Sequence, residues 1–212
     1  MLDRVCRRAL DAPLGRMAAV LDRPGITPDR ITVFGLVVGL AGALFAGLAS
    51  WPFALTLWLL SRLADGLDGP LARRRSKQAG DKTSTDAGGF LDIAADFVVY
   101  GTFVIGVGIG TGGSLLPFMA VLFAYYINGS VFLAFSSIAE RSGKRIDDGR
   151  SLSFLGGLAE GTETIVVHAL WCLLPLWAEP IAWIWAAIVA ISATQRIAGG
   201  YRALRSPAPV RP

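Results

Sequence analysis

Four aspartates lie within apolar stretches of the chain, where carboxylates are unusual. Asp65 and Asp68 are three residues apart, and Asp92 and Asp96 are four residues apart. Both spacings place the two carboxylates of a pair on the same face of a helix. An aspartate near the centre of a membrane costs roughly 2.5–3.5 kcal/mol on a translocon-type scale. Four of them would cost about 10 kcal/mol, comparable with the net stability of a whole domain. We therefore interpret them as functional.

The chemistry that four carboxylates favour is the binding of a hard divalent cation. No histidine or cysteine lies near them in the sequence, and an all-oxygen ligand set suits Mg²⁺ or Mn²⁺. Two facing pairs could hold two ions, an arrangement used for in-line displacement at phosphorus. Arg73 offers a bidentate phosphate donor. The small residues Gly69, Ala72 and Gly88 share the faces of the aspartates, so a ligand could approach the backbone there.

The elements that must position these residues are membrane helices. Of the 212 residues, 53% are hydrophobic and 17% are charged, and mean hydropathy is +0.54. A soluble domain carries about 25% charge, and disordered chains are polar, so we predict an all-α integral membrane protein. Six segments approach the roughly 20 apolar residues that a span needs. They are residues 31–49, 53–73, 88–110, 115–138, 152–176 and 181–200, and breaks at 50–52, 111–114 and 178–180 join three pairs of them.

The N-terminal segment predicts a helix that lies in the membrane interface and precedes the spans. Apolar residues recur there at roughly helical spacing with arginines among them, as in interfacial amphipathic helices. We expect an interruption near Pro13, and a loose basic leader is the alternative. The resulting division is an interfacial segment at 1–30, a six-helix membrane domain at 31–202 and a flexible cytoplasmic tail at 203–212.

The distribution of positive charge predicts the orientation. Of the 20 lysines and arginines, all but Arg62 fall in or beside the N-terminal segment, the connections 74–87 and 139–151 and the end of the chain. Arg62 is the one basic residue buried in a span. Such a bias indicates that both termini are cytoplasmic. The surplus of basic residues is then explained by topology and anionic lipid, and no nucleic-acid partner is required.

The two aspartate runs resemble the signature of the CDP-alcohol phosphotransferase family. That signature reads D-x2-D-G-x2-A-R, a spacer, then G-x3-D-x3-D, and residues 65–73 and 88–96 match all eight specified positions. The connection 74–87 is longer than the family's usual spacer, and we expect a surface loop to absorb the extra residues. Pro28-Asp29-Arg30-Ile31-Thr32 matches a further family pattern, Pro-[Asp/Asn]-x-x-Thr.

The resemblance implies transfer of a phosphatidyl group from CDP-diacylglycerol to a small alcohol, with release of CMP, in phospholipid biosynthesis. It implies that the four aspartates hold two Mg²⁺ or Mn²⁺ ions and that Asp96 is also the general base. By position, the donor nucleotide would contact Asp68, Gly69, Ala72, Arg73, Gly88, Asp29 and Thr32. Asp29 could instead cap the first span. The family also implies a multi-pass protein of the cytoplasmic (inner) membrane, an active site on the cytoplasmic side and a homodimer.

The acceptor alcohol stays open. Phe97 follows Asp96, where relatives that use glycerol phosphate or inositol phosphate commonly carry Lys or Arg. Candidate acceptor residues are Glu160, Glu163, Arg196 and Arg150, although the acids also suit a helix start and the basic residues also suit the topology. We expect His168 to be structural. A cation transporter that uses the intramembrane aspartates and a catalytically silent family member are the alternatives.

Overall fold

The structure, a computed structural model, describes residues 2–79, 86–142 and 159–205, and these residues are predominantly helical. The helices are α1 (Leu2–Leu21), α2 (Pro28–Gly47), α3 (Trp51–Ala79), α4 (Asp86–Gly110), α5 (Leu116–Arg141), α6 (Gly161–Leu173) and α7 (Ala178–Arg205), with a 3₁₀ turn at Pro175–Trp177. The all-α class is as predicted.

Four stretches in the described part of the chain are long and apolar enough to cross a membrane. They are Pro28–Gly47, Asp86–Thr111, Leu116–Arg141 and Pro175–Arg205. Helix α3 has 29 residues but carries the charged signature run. Helix α6 has 13 residues, and the first part of the predicted span at 152–176 lies outside the described residues.

Four predicted boundaries differ from the structure. The breaks expected at 50–52 and 178–180 are misplaced, because α3 begins at Trp51 and α7 begins at Ala178. Pro180 fits in the first turn of α7 because the backbone N–H groups there have no intrahelical acceptor, so the N–H that proline lacks is not missed. Helix α1 continues through Pro13, so the expected interruption is absent. Helix α3 continues to Ala79, so part of the longer connection is extra helix rather than loop.

The chain divides into two units. Of the described residues, one unit contains those of 2–115 and 161–179, and the other contains those of 116–160 and 180–205. The first unit holds all four aspartates. A side-chain hydrogen bond joins two helices within the second unit. Trp185 Nε1 of α7 donates it to the Tyr125 hydroxyl of α5 at 2.6 Å.

Small residues bring the helices of the first unit close together. A Cβ built on Gly39 of α2 would lie 2.6 Å from Val99 Cγ1 of α4 and 2.8 Å from Ser61 Oγ of α3. A Cβ on Gly106 of α4 would overlap the backbone carbonyl of Ala43 in α2. Glycine therefore allows the close backbone approach that is typical of helix packing in membranes.

Helix α1 packs against α3 on the side of the first aspartate pair. Ala18 of α1 belongs to a buried apolar cluster with Ala64, Leu67 and Leu71 of α3 and Ile31 of α2. Ala64 and Leu67, the residues that directly precede Asp65 and Asp68 in α3, are thus buried against α1 and α2. This packing fixes the direction in which the two aspartates point.

Candidate active site

The two aspartate pairs meet between α3 and α4. The carboxylate of Asp65 lies close enough to Asp92 and Asp96 to interact with both, and Asp68 is near Asp92 as well. Asp68 is buried, whereas the side chains of Asp65 and Asp96 are 30% and 36% exposed. Two pairs that the sequence places on separate helices therefore form one cluster, and we call these four residues the aspartate cluster.

Thr32 is part of the same arrangement. Its hydroxyl donates a hydrogen bond of 2.6 Å to Asp68 Oδ2, and both side chains are buried. The Pro-Asp-x-x-Thr pattern thus brings a side chain of α2 to the signature run of α3. A hydrogen bond to a buried carboxylate stabilises its charged form and fixes its orientation.

The alternative in which Asp29 caps α2 is wrong. The N-cap of α2 is Thr27, whose side-chain oxygen accepts a hydrogen bond of 3.2 Å from the Arg30 amide. Asp29 lies in the first turn and is exposed. Pro28 suits the first helical position, so the residue before it, Thr27, is the N-cap. An acid in the first turn still interacts favourably with the helix dipole.

Arg73 folds back over Gly69, one helical turn earlier. A Cβ on Gly69 would lie 3.2 Å from Arg73 Nη1, and Arg73 is exposed. Ala72 is half-buried on the same helix, and Gly88 is half-buried in the first turn of α4. The absence of a side chain at Gly69 leaves room for the guanidinium of Arg73.

Arg62, for which the sequence suggests no role, enters the aspartate cluster. Its Nη1 donates a hydrogen bond of 2.6 Å to Asp96 Oδ1 and lies 3.8 Å from Asp65 Oδ1. The side chain is only 5% exposed. Arg62 precedes Asp65 by three residues, and this helical spacing could have predicted the contact between those two side chains.

The acceptor candidates are placed as follows. Glu160 is buried just before α6, and Glu163 lies in the first turn of that helix, so the expected helix start is confirmed. Arg150 lies outside the described residues. Arg196 is 5% exposed and donates a hydrogen bond of 2.9 Å to Asn128 Oδ1. The prediction that Arg62 is the one buried basic residue is therefore wrong.

His168 packs as a structural residue. It is fully buried, its Nδ1 lies 2.8 Å from the Thr164 carbonyl oxygen, and its ring stacks on Trp58 at a centroid distance of 4.6 Å. An aromatic surrounding of this kind offers no room for a ligand beside the imidazole.

The donor set of the aspartate cluster fits a hard divalent cation, but the side chains are not arranged around one point. Carboxylate and hydroxyl oxygens are the ligands that Mg²⁺ and Mn²⁺ prefer. Among the described residues, no three His, Cys, Asp or Glu side chains converge as metal ligands. The guanidinium of Arg62 lies against Asp65 and Asp96 and contributes positive charge there.

Comparison with known proteins gives consistent matches over most of the chain. Residues 25–195 match the sequence model of the CDP-alcohol phosphatidyltransferase family. The inner membrane protein YnjF of Escherichia coli K12 is 41% identical over 211 residues, covering 97% of this chain and 98% of that protein. A phosphatidylinositol phosphate synthase of Mycobacteroides abscessus is 30% identical over 160 residues, covering 71% of this chain and 64% of that protein.

Solved structures share the fold. The phosphatidylinositol phosphate synthase of Mycobacterium tuberculosis in complex with manganese and citrate superposes with a TM-score of 0.69 at 22% identity, covering 92% of this chain and 93% of that chain. The same enzyme with CDP-DAG bound superposes with a TM-score of 0.64, also at 22% identity, covering 94% and 97%. At this identity the likeness establishes the architecture of the chain.

Proposed function

The chain belongs to the CDP-alcohol phosphatidyltransferase family, and from this premise we propose that it transfers a phosphatidyl group from CDP-diacylglycerol to a small alcohol and releases CMP. The observation that carries the proposal is that the two aspartate pairs, one on α3 and one on α4, lie close enough to interact with each other. The CDP-DAG bound to the mycobacterial enzyme of the same fold supports the choice of donor.

The proposed metal ligands are Asp65, Asp68, Asp92 and Asp96. Two Mg²⁺ or Mn²⁺ ions, when bound, supply charge that polarises a diphosphate and neutralises the leaving CMP. The manganese in the mycobacterial structure supports this choice of ion. Thr32 holds Asp68 in place for that role through the hydrogen bond of 2.6 Å.

Asp96 is the proposed general base. It takes the proton of the acceptor hydroxyl while the new oxygen–phosphorus bond forms and the bond from phosphorus to the CMP oxygen breaks. Its side chain is 36% exposed, so it is not enclosed by the rest of the protein.

Donor binding is assigned to the residues around the signature run. Arg73 binds a phosphate oxygen through its guanidinium, and the nearness of that group to Gly69 supports the assignment. Small residues at Gly69, Ala72 and Gly88 leave space for the nucleotide diphosphate. Asp29, which caps no helix and is exposed, is free to contact the cytidine side of the donor.

We propose six spans in the cytoplasmic membrane. Helix α3 and the region of α6 complete the four apolar stretches, and the E. coli relative is an inner membrane protein. Helix α1 lies in the interface, which its exposed Leu10, Met17 and Val20 support. The division at 1–30, 31–202 and 203–212, cytoplasmic termini, a cytoplasmic active site and a homodimer complete the proposal.

The proposed acceptor is a small alcohol. Arg196, buried and hydrogen-bonded to Asn128, Arg150, Glu160 and Glu163 are the candidates for recognising it. A buried arginine suits a phosphorylated acceptor, and two relatives are phosphatidylinositol phosphate synthases. Phe97 next to Asp96 weakens the analogy with phosphorylated acceptors.

The test is CMP release by the purified protein supplied with CDP-diacylglycerol, Mn²⁺ or Mg²⁺ and a panel of alcohols. Mass spectrometry of the lipid product identifies the acceptor. We expect release that requires donor, metal and one alcohol class, and that is lost in Asp96→Asn. Asp86→Asn, which removes an exposed carboxylate from the first turn of the same helix, is the matched control and retains activity.

The same preparation discriminates the two alternatives. A transporter would carry divalent cations into liposomes without nucleotide, and a silent family member would show no binding of the CDP donor. Full activity of Asp96→Asn would contradict the assignment of the base.

A further inference from the structure

Arg62 is a buried arginine that the signature does not account for. It precedes the run 65–73 by one helical turn and contacts one carboxylate of each pair, Asp96 at 2.6 Å and Asp65 at 3.8 Å. An arginine stays charged in proteins. The aspartate cluster therefore contains a positive charge that belongs to the chain itself.

Two aromatic rings lie against the guanidinium. The Cζ atom of Arg62 is 5.2 Å from the ring centroid of Trp58 and 4.8 Å from that of Tyr100. Such cation–π contacts are strongest where water is excluded, and Arg62 is 5% exposed as a side chain. The rings come from α3 and α4, so the packing of these two helices creates the position that the guanidinium occupies.

Hydrogen bonds fix the remaining side of the guanidinium. Arg62 Nη2 donates to Ser61 Oγ at 3.1 Å, and the Ser61 hydroxyl donates to the Gly35 carbonyl of α2 at 2.7 Å. Arg62 Nε is buried without a hydrogen-bond partner among the described residues. The surroundings thus do not satisfy every donor of the guanidinium. The contacts that they do make direct Nη1 to Asp96.

The aromatic side of this site is itself anchored. Trp58 is fully buried, donates from Nε1 to the Ile165 carbonyl at 3.2 Å and stacks on His168. Both partners belong to α6. Groups from α2, α3, α4 and α6 thus determine where the charge of Arg62 lies.

We propose that Arg62 is a positioning residue: a built-in counter-ion that orients Asp96 and competes with divalent cations for the Asp65–Asp96 side of the aspartate cluster. The inference rests on the proposed function, because it takes these aspartates as metal ligands and Asp96 as the base. A guanidinium in contact with two carboxylates balances part of their charge when no metal is bound. The same positive charge repels a cation that approaches those carboxylates.

The test compares Arg62→Gln and Arg62→Lys with the wild-type full-length chain in nanodiscs. Mn²⁺ affinity is measured by titration with detection of free Mn²⁺ by electron paramagnetic resonance. Without the charge, we expect the Kd for Mn²⁺ in Arg62→Gln to fall about tenfold. The metal-free melting temperature of that variant is expected to fall by about 5–10 °C, since the partner carboxylates lose their buried counter-ion.

The affinity for Mn²⁺ thus rises while the metal-free stability falls, a combination that a merely structural role would not produce. General damage to the fold would weaken Mn²⁺ binding together with stability. Arg62→Lys keeps the charge and is expected to keep a Kd within about threefold of wild type. Its turnover still falls, because lysine lacks the planar fork that fits both the rings and the carboxylate.

Tyr100 supplies a second route if Arg62→Gln does not fold. Tyr100→Leu removes one of the two rings that contact the guanidinium. We expect tighter Mn²⁺ binding and lower turnover than in wild type, each by a smaller factor than when Arg62 itself is replaced. Tyr100→Phe keeps the ring and removes only the hydroxyl that interacts with Arg62, so its Mn²⁺ affinity is expected to lie between those of wild type and Tyr100→Leu.

Two results would overturn the inference and are distinguishable. A wild-type chain that binds no Mn²⁺ overturns the proposed metal site together with the role of Arg62. A wild-type chain that binds Mn²⁺ while folded Arg62→Gln binds it equally or more weakly overturns the role of Arg62 alone.

Discussion

The hydroxyl of Thr32 donates a hydrogen bond of 2.6 Å to Oδ2 of Asp68, which joins the start of α2 to the signature run of α3. Both side chains are buried, so water does not readily replace either partner. Asp68 lacks the direct contact with Arg62 that Asp65 and Asp96 have. The Thr32 hydroxyl and the Gly69 backbone are the groups that hydrogen-bond its carboxylate.

Replacing Thr32 by valine is expected to lower kcat/KM for CMP release by about 10–100-fold, since a hydrogen bond to a charged group contributes about 1.5–3 kcal/mol. Valine keeps the shape and removes the hydroxyl. Thr32→Ser restores the hydroxyl and is expected to stay within about threefold of wild type. Equal activity of the valine and serine variants would show that this hydrogen bond does not position Asp68.

Asp92→Asn is expected to abolish turnover and leave membrane insertion intact. Its metal-free melting temperature should be equal to or slightly above that of wild type, because the substitution removes one of four mutually repelling carboxylates. Thermal unfolding without metal tests the expected stability, and CMP release with Mn²⁺ tests the expected loss of turnover. Asp86→Asn on the same helix should change neither, and a marked loss of metal-free stability in Asp92→Asn would contradict the repulsion argument.

Asp22 joins the end of α1 to the extended end of α3, and this contact is expected to depend on pH. Its carboxylate accepts hydrogen bonds of 3.0 Å from Arg75 Nε and from Arg74 Nε, and Gln78 donates at 3.3 Å. The hydrogen bond from Arg75, then that from Arg74, holds the pKa of Asp22 below its usual 3.8. The stabilising contribution is thus fully present above pH 3.8 and is lost as the pH falls through the lowered value.

Asp22→Asn is the variant that tests this contact. Its melting temperature should lie below that of wild type at pH 7, and the two should converge towards pH 3, because protonation of Asp22 removes the same charge. Asp11→Asn, on the exposed surface of α1, is the control. A constant difference between Asp22→Asn and wild type from pH 3 to pH 7 would rule out the ionised carboxylate as the cause.

Gly106→Ala is expected to destabilise the first unit by about 1–3 kcal/mol, as overpacking does in a tightly packed core. The added Cβ would overlap the backbone carbonyl of Ala43, which cannot rotate away. Gly101→Ala on the same helix has no heavy atom within 4 Å of the new Cβ. It should be neutral or stabilise by up to about 1 kcal/mol through helix propensity. The melting temperatures of the two variants decide the matter.

Features that depend on neighbours along one helix could be predicted from the sequence. The pairing of Asp65 with Asp68 and the helix start beside Glu163 follow from residue type and spacing within one turn. The helical class follows from apolar composition, because a membrane segment must satisfy its backbone hydrogen bonds internally.

Boundaries were less predictable because several residues compete for one role. Thr27 rather than Asp29 caps α2, and both are residues that favour a cap. The continuation of α3 to Ala79 runs through charged residues, which hydropathy alone places in a loop, and contacts with Asp22 hold its end.

The sequence by itself determined which helices carry carboxylates and on which face of each helix a pair lies, because those relations are set by the helical repeat. Only the tertiary structure decided that Arg62 meets Asp96, 34 residues further along the chain, and that Thr32 meets Asp68, 36 residues away. Both contacts depend on how closely α2, α3 and α4 approach, and that closeness depends on glycines such as Gly39 and Gly106. Helical spacing contains no information about that distance, since it is the fit between surfaces of different helices that sets it.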